Sequence, residues 1–257
     1  MDRFLLTPFF LDQPAPLLQR LAPPGWAINR PAIGDGPLLE RVAAVGEGIA
    51  AHAERSVRDG ARPVAVTGDC CAAIGAVTGL QRAGLRPRVL WLDAHGDFNT
   101  PATSPSGFVG GMPLAMLVGR GDQAALDRLG TEPVAESAVV LFDGRDLDPA
   151  ERVAVEGSAV RRLTTLDALD ALALDGEPVH VHLDADVVNP LDAPAMLYPA
   201  PGGPRLDELE RALGRLARRS RVVSVTLTTW ALDKDAKGQT ERAVLRLLDA
   251  VLGGGAV

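Results

Sequence analysis

Cysteine is almost absent from this chain: 257 residues contain two, and they are adjacent, Cys70 and Cys71. Neighbouring cysteines rarely reach disulfide geometry with each other, so both are expected as thiols in a reducing, cytoplasmic setting. Positive charge is not in excess either. Lys and Arg number 26 against 33 acids, for a net charge of −7. The basic residues are scattered or paired with acids, which speaks against a nucleic-acid surface. No uninterrupted apolar run is long enough to cross a bilayer, so no membrane partner is expected. The first residues turn polar at Asp12 without a long apolar core, so no signal peptide is expected. Aromatic residues are few, at 4%.

What the chain does have is a regular alternation of strand, loop and helix, with no repeat or linker. This predicts one α/β domain over residues 1–257 with a mainly parallel sheet. Apolar runs predict strands over 3–10, 26–29, 63–67, 88–93, 138–142, 178–183 and 222–228. Leu38, Leu39, Val42, Val45 and Ile49 recur at helical spacing and predict a helix over 38–57, with His52 on its exposed side. Leu206, Leu209, Leu213 and Leu216 stripe another helix, and Thr240 is expected to cap the last one. Polar clusters follow the third to seventh of these strands, the ends where open α/β sheets place their sites.

The densest cluster follows Val89-Leu90-Trp91-Leu92, where Asp93, His95 and Asp97 alternate. Carboxylate, imidazole and carboxylate offer oxygen and nitrogen donors to a hard or borderline divalent metal. Asp184 and Asp186 add a second acidic pair at a strand end. Four carboxylates and an imidazole suit a pair of ions sharing bridging carboxylates. Without metal they would form a repelling cluster that must be protonated or solvated.

These residues sit in a longer pattern. Gly68-Asp69, Trp91-Leu92-Asp93-Ala94-His95-Gly96-Asp97-Phe98-Asn99-Thr100-Pro101, Gly111-Met112-Pro113, Gly144-Arg145-Asp146-Leu147-Asp148-Pro149 and Asp184-Ala185-Asp186 follow in order, with Asn189-Pro190 and Gly202-Gly203 behind. From about residue 64 onward the chain resembles the ureohydrolase superfamily, which contains the arginases and agmatinases. The resemblance implies an arginase-like three-layer α/β/α fold, often trimeric or hexameric. It also implies a binuclear manganese site that hydrolyses a guanidino or related amidino C–N bond. On the same ground Asp93 and Asp184 would bridge the metals, His95 and Asp186 would complete one site, and Asp97 would serve the other.

The remaining family ligand is the His of a G-G-D-H motif, and that position is Cys70 here. Three readings stand. The second site is weak or empty; it holds a softer ion such as Zn²⁺, Fe²⁺ or Co²⁺; or Cys70 is simply a buried small residue. Cys71 is read as packing.

Along the same resemblance Asn99 and Ser106 would hold a substrate α-carboxylate and Asp148 an α-amino group, chemistry that an amide, a hydroxyl and an acid can supply. This predicts a small, amino-acid-like substrate. The far end departs from the family. A proton-shuttling His is Gly110, an acid that anchors the guanidinium is Thr229, and a small polar loop carries Met196, Leu197 and Tyr198. A full guanidinium would be poorly paired there, which predicts an arginine relative with a modified, less basic end, such as an N-hydroxyguanidino group. Water or Tyr198 would then move protons, and Asp97 would position the nucleophile and return the proton. His180 and His182 share a strand face with Asp184; His182 either orients a ligand carboxylate or is an ordinary core histidine. The rival class is a degenerate member of the fold kept as a binding or assembly subunit.

Overall fold

The computed structural model describes residues 1–174, 176–228 and 230–254. Its strands are β1 (Asp2–Thr7), β2 (Phe9–Phe10), β3 (Gln13–Pro14), β4 (Ala27–Ile28), β5 (Arg62–Thr67), β6 (Arg88–His95), β7 (Val139–Asp146), β8 (Arg161–Leu163), β9 (Pro178–Asp184) and β10 (Arg221–Thr228). Its α-helices are α1 (Leu38–Arg58), α2 (Ala72–Arg82), α3 (Pro113–Leu117), α4 (Ala124–Leu129), α5 (Pro149–Glu156), α6 (Leu166–Asp170), α7 (Leu206–Arg219) and α8 (Gln239–Leu252).

One sheet of eight strands runs β4-β1-β5-β10-β9-β6-β7-β8, and every neighbouring pair is parallel. A parallel sheet covered on both faces needs strands that are apolar on both faces, which explains the runs Val64-Ala65-Val66 and Val89-Leu90-Trp91-Leu92. One face, with Leu90, Leu92, Val179, Val181, Leu183 and Val225, packs on Leu209, Leu213 and Leu216 of α7 and on Val244 and Leu248 of α8. On the other face Val89, Trp91 and Leu141 pack on Ala73 and Val77 of α2 and on Leu114 of α3. The result is the expected three-layer arrangement. Helix α1 lies over α2 at close range: a Cβ at Gly75 would sit 2.6 Å from the Gly46 carbonyl oxygen.

Several local expectations are corrected. The strand predicted over 3–10 stops at Thr7, because Pro8 has no N–H to continue a ladder. Phe9–Phe10 instead pairs antiparallel with Gln13–Pro14, turning through Leu11 at φ 53°. His52 is buried, with its Nε2 3.1 Å from the Arg3 carbonyl. Thr240 does not cap α8. The Asp235 carboxylate accepts from the Thr240 and Glu241 N–H groups, and the Thr240 hydroxyl accepts from Ala195 N at 3.0 Å. The short elements α4, α5 and β8 have too few residues to show a period. Among the described residues no helix is long and apolar enough to cross a membrane.

Candidate active site

In the sheet β5, β10, β9, β6 and β7 stand side by side. Strands β9 and β10 come late in the chain yet fill the gap between β5 and β6, so the strand order reverses there. Open α/β sheets bind ligands at such a switch point, outside the carboxyl ends of the strands. Here those ends deliver Asp69 and Cys70 after β5, Thr228 from β10, Asp184 from β9, Asp93 and His95 from β6, and Asp146 from β7.

A pocket of about 460 Å³ opens over them. Cys70, Asp93, His95, Asp97, Asp184 and Asp186 all line it, and so do Asn99, Ser106, Asp148 and Tyr198. The structure thus brings the expected metal-ligand and substrate residues to one pocket, except Thr229, which lies outside the described residues.

Two donor groups abut at the floor. In the first, donor atoms of Asp93, His95 and Asp186 lie within 4.8 Å of one another. His95 Nδ1 is 3.1 Å from Asp186 Oδ2 and 3.4 Å from Asp93 Oδ1. In the second, donor atoms of Cys70, Asp93, His182 and Asp184 lie within the same 4.8 Å limit. Asp93 belongs to both groups. The chain aims these carboxylates with short local hydrogen bonds. Asp93 accepts from His95 N at 2.7 Å and from Trp91 Nε1 at 3.2 Å. Asp184 accepts from Asp186 N at 2.9 Å, from Thr228 Oγ1 at 2.5 Å and from Cys70 Sγ at 3.0 Å. Asp186 accepts from Ala94 N at 3.1 Å.

Asp97 differs from the others. It takes a left-handed backbone conformation, φ 50°, rare for a residue with a Cβ. Its carbonyl accepts from Ala115 N at 3.1 Å, which ties the loop to α3. Its Oδ2 is buried and has no hydrogen-bond partner.

Crowding shows in the protonation of the cluster. Burial, and then the Asp186 charge, pushes the Asp184 carboxyl up to about 6. Burial and then Asp93 do the same to Asp186, also to about 6. Burial raises Asp93 and Asp97, with Asp184 and Asp93 respectively adding repulsion. Burial and the surrounding acids push the Cys70 thiol well up. His95 goes the other way for an imidazole: burial opposes its charged form, yet hydrogen bonds to Asp186 and Asp93 raise it to about 12. The floor is a buried, under-neutralised acidic well that one imidazolium only partly offsets.

The mouth is different chemistry. The Asn99 amide donates to the Asp148 carboxylate at 3.0 Å and accepts from Thr103 Oγ1 at 3.0 Å. Ser106 is exposed and its hydroxyl accepts from Phe108 N at 3.2 Å. Phe10, Phe108 and Tyr198 form an aromatic rim, with ring centroids 6.2 Å and 5.6 Å apart. The Phe108 ring fills the side-chain space of position 110: a Cβ on Gly110 would fall 2.4 Å from it.

Sequence reasoning missed three residues at the site. Glu151 is buried, and its carboxylate accepts from Phe98 N at 2.8 Å and Asp148 N at 3.2 Å, holding the loop after β6 to the start of α5. Its signal was available, because Asp148-Pro149-Ala150-Glu151 has capping-box spacing. Gly96 leaves room for it, since a Cβ there would lie 2.7 Å from the Glu151 carboxylate. Phe10 and Phe108 gave no signal; Phe10 reaches the rim from β2 and Phe108 from the loop after β6.

A parallel α/β/α sheet with a buried acid and imidazole cluster at its switch point places a candidate metal site where such folds carry their chemistry. Comparison with known proteins narrows it. The Arginase family profile matches residues 29–253. The chain is 30% identical to the arginase of Bacillus subtilis, over 93% of this chain and 88% of that protein. It is 32% identical to the arginase of Bacillus caldovelox, over 86% of this chain and 79% of that protein. The crystal structure of the Bacillus caldovelox arginase superposes with a TM-score of 0.82 at 26% identity, covering 100% of this chain and 99% of that one. The chain belongs to the arginase family, whose members are hydrolases acting on amidino C–N bonds.

Proposed function

We propose that this chain is a metal-dependent hydrolase of an arginine-related α-amino acid. It would cleave the amidino C–N bond of a side-chain end less basic than a guanidinium, such as an N-hydroxyguanidino group, and release a urea-type product. The observation that carries the reading is Asp97 Oδ2, buried and partnerless beside four other acidic or imidazole donors. Burying unpaired carboxylates costs several kcal/mol each, which is tolerable where a cation joins them.

The donor set fits such a cation. Asp93, His95 and Asp186 offer oxygen and nitrogen, suited to Mn²⁺, and Cys70 adds a thiolate that Zn²⁺, Fe²⁺ or Co²⁺ would take more readily. When bound, the metal supplies Lewis acidity that makes water nucleophilic near neutral pH and offsets the charge that develops at the amidino carbon. The remaining work falls to the chain. Asp97 holds the nucleophile in line and passes its proton to the departing amine. Asn99 and Ser106 donate to the α-carboxylate, and Asp148 pairs with the α-ammonium. Phe10, Phe108 and Tyr198 close the mouth against bulk water, and the Tyr198 hydroxyl gives protons a way out. Met196 and Leu197 make the outer wall apolar, which disfavours a full cation. Two buried free thiols fit a reducing, cytoplasmic compartment, and a trimer or hexamer would accord with the family resemblance.

The second reading, a catalytically silent binding or assembly subunit, draws on Cys70 and Gly110 in place of family histidines. A scaffold has no use for the acidic well. The test is hydrolysis by metal-loaded protein of arginine, N-hydroxyarginine and agmatine. Urea-type product from an α-amino acid supports the hydrolase. No product from any of the three, by protein that holds stoichiometric metal, supports the subunit.

A further inference from the structure

We propose that His182 supplies the imidazole of a thiolate-containing metal site, Cys70–Asp93–His182–Asp184, that favours zinc, iron(II) or cobalt(II) over manganese. The inference rests on the hydrolase reading above and concerns the half of the centre where Cys70 replaces the expected histidine.

Strand register delivers the ring. On β9, His182 pairs with Thr226 of β10 on one side and with Trp91 of β6 on the other. Alternation puts it on the same face as Asp184, two residues ahead. Both neighbours fix the imidazole. Its Nδ1 lies 2.8 Å from Thr226 Oγ1, and its plane lies against the Trp91 indole with ring centroids 3.8 Å apart. The ring is fully buried, and Nε2 has no hydrogen-bond partner. A buried ring nitrogen left unpaired is costly unless a ligand takes it up.

The surroundings of the ring decide the matter. His180 also carries a partnerless ring nitrogen, but it joins no donor cluster among the described residues. A ring nitrogen of His182 lies within 4.8 Å of the Cys70 sulfur and of carboxylate oxygens of Asp93 and Asp184. With Nδ1 held by the Thr226 hydroxyl, Nε2 is the nitrogen free to bind, an arrangement in which one ring nitrogen orients the other toward a metal. One sulfur, one nitrogen and two oxygens make a four-coordinate set of the kind zinc takes, whereas manganese prefers oxygen and nitrogen. The thiol that donates to Asp184 loses its proton to solvent when the ion enters, so one H⁺ is released for the Cys70 sulfur–metal bond formed. Cys70 therefore does not simply delete a ligand; the missing imidazole arrives from a different strand.

The test is spectroscopy and metal counting on the full chain loaded with cobalt(II), and separately with zinc. The unmodified protein is expected to show near-ultraviolet thiolate-to-cobalt absorption together with the intense visible bands of a four-coordinate ion. Cys70→Ser should lose the thiolate band. His182→Asn should weaken the visible bands and lower zinc affinity at one site by at least about tenfold. A cobalt-loaded natural protein without the thiolate band overturns the proposal. So does a folded His182→Asn protein with unchanged bands and zinc affinity. If the natural protein lacks the thiolate band but still binds Mn²⁺ and hydrolyses substrate, this inference fails and the hydrolase reading stands. If it binds no metal at all, both fail. The thiolate band is read on the natural protein alone, so the proposal can be overturned even if a variant does not fold.

Discussion

The Asn99 side-chain amide donates to the Asp148 carboxylate across 3.0 Å, joining the loop after β6 to the first turn of α5. One amide hydrogen is thus committed, and the other is left for a substrate carboxylate. The Asp148 carboxylate, which also takes part in the capping box of α5, retains lone pairs for an ammonium. Asp148→Asn retains a capping side chain but removes the charge. It is expected to raise KM about tenfold with kcat nearly unchanged, and to have little effect on a substrate that lacks the α-amino group. Steady-state kinetics with the paired substrates checks it.

Gly75 sits inside α2, where alanine would gain up to about 1 kcal/mol in helix propensity. A Cβ there would meet the Gly46 carbonyl at 2.6 Å, and backbone cannot swing aside as a side chain can. Forcing the helices apart costs about 1–3 kcal/mol, so packing outweighs propensity. Gly75→Ala is expected to lower Tm by about 2–8 °C, as read by thermal melting.

Much of this was visible in the sequence, for particular reasons. Asp93, His95, Asp97, Asp184 and Asp186 stand at the ends of apolar strands, where local pattern and site position coincide. The three layers follow from strand and helix alternation. The rest depended on contacts between distant segments. His52 reads as exposed from its own helix alone, but β1 covers it, with the Arg3 carbonyl 3.1 Å from its Nε2. Thr240 was a suitable cap by type, but Asp235 reaches back to the same N–H groups. Phe10 reaches the pocket mouth because Pro8 ends β1 and the chain turns. The setting of His182 between Trp91 and Thr226 is a matter of sheet register, and periodicity along one strand carries no register.

Asp192 accepts from Leu206 N at 2.9 Å at the start of α7 and pairs with Arg205. Its hydrogen bond with Arg205 holds the carboxyl down at about 2, below the ordinary 3.8. A depressed carboxylate contributes stability above its unfolded value and loses it as pH falls through the folded one. Asp192→Asn should therefore melt lower than the natural protein at pH 7 by a few degrees at most, given the exposure of the pair. The gap should close between about pH 4 and pH 2. Thermal melts across that range check the sign.

Removing metal should leave the acidic well repelling itself. Chelation followed by exchange into metal-free buffer is expected to lower Tm, and Mn²⁺ at a hundred times its Kd should restore about 2.7 kcal/mol. For a chain of this size that is about 5–10 °C. Asp93→Asn, which touches both donor groups, should abolish the restoration.

The measurement that bears most directly on the central claim is the ratio of kcat/KM for N-hydroxyarginine to that for arginine, taken with metal-loaded protein in one assay for the urea-type product. Met196 and Leu197 on the pocket wall, with Thr229 in place of a guanidinium-anchoring acid, predict a ratio of about 100 or more in favour of the less basic substrate. A ratio near one or below, with arginine turned over well, would contradict the account and make this chain an ordinary arginase despite its altered pocket.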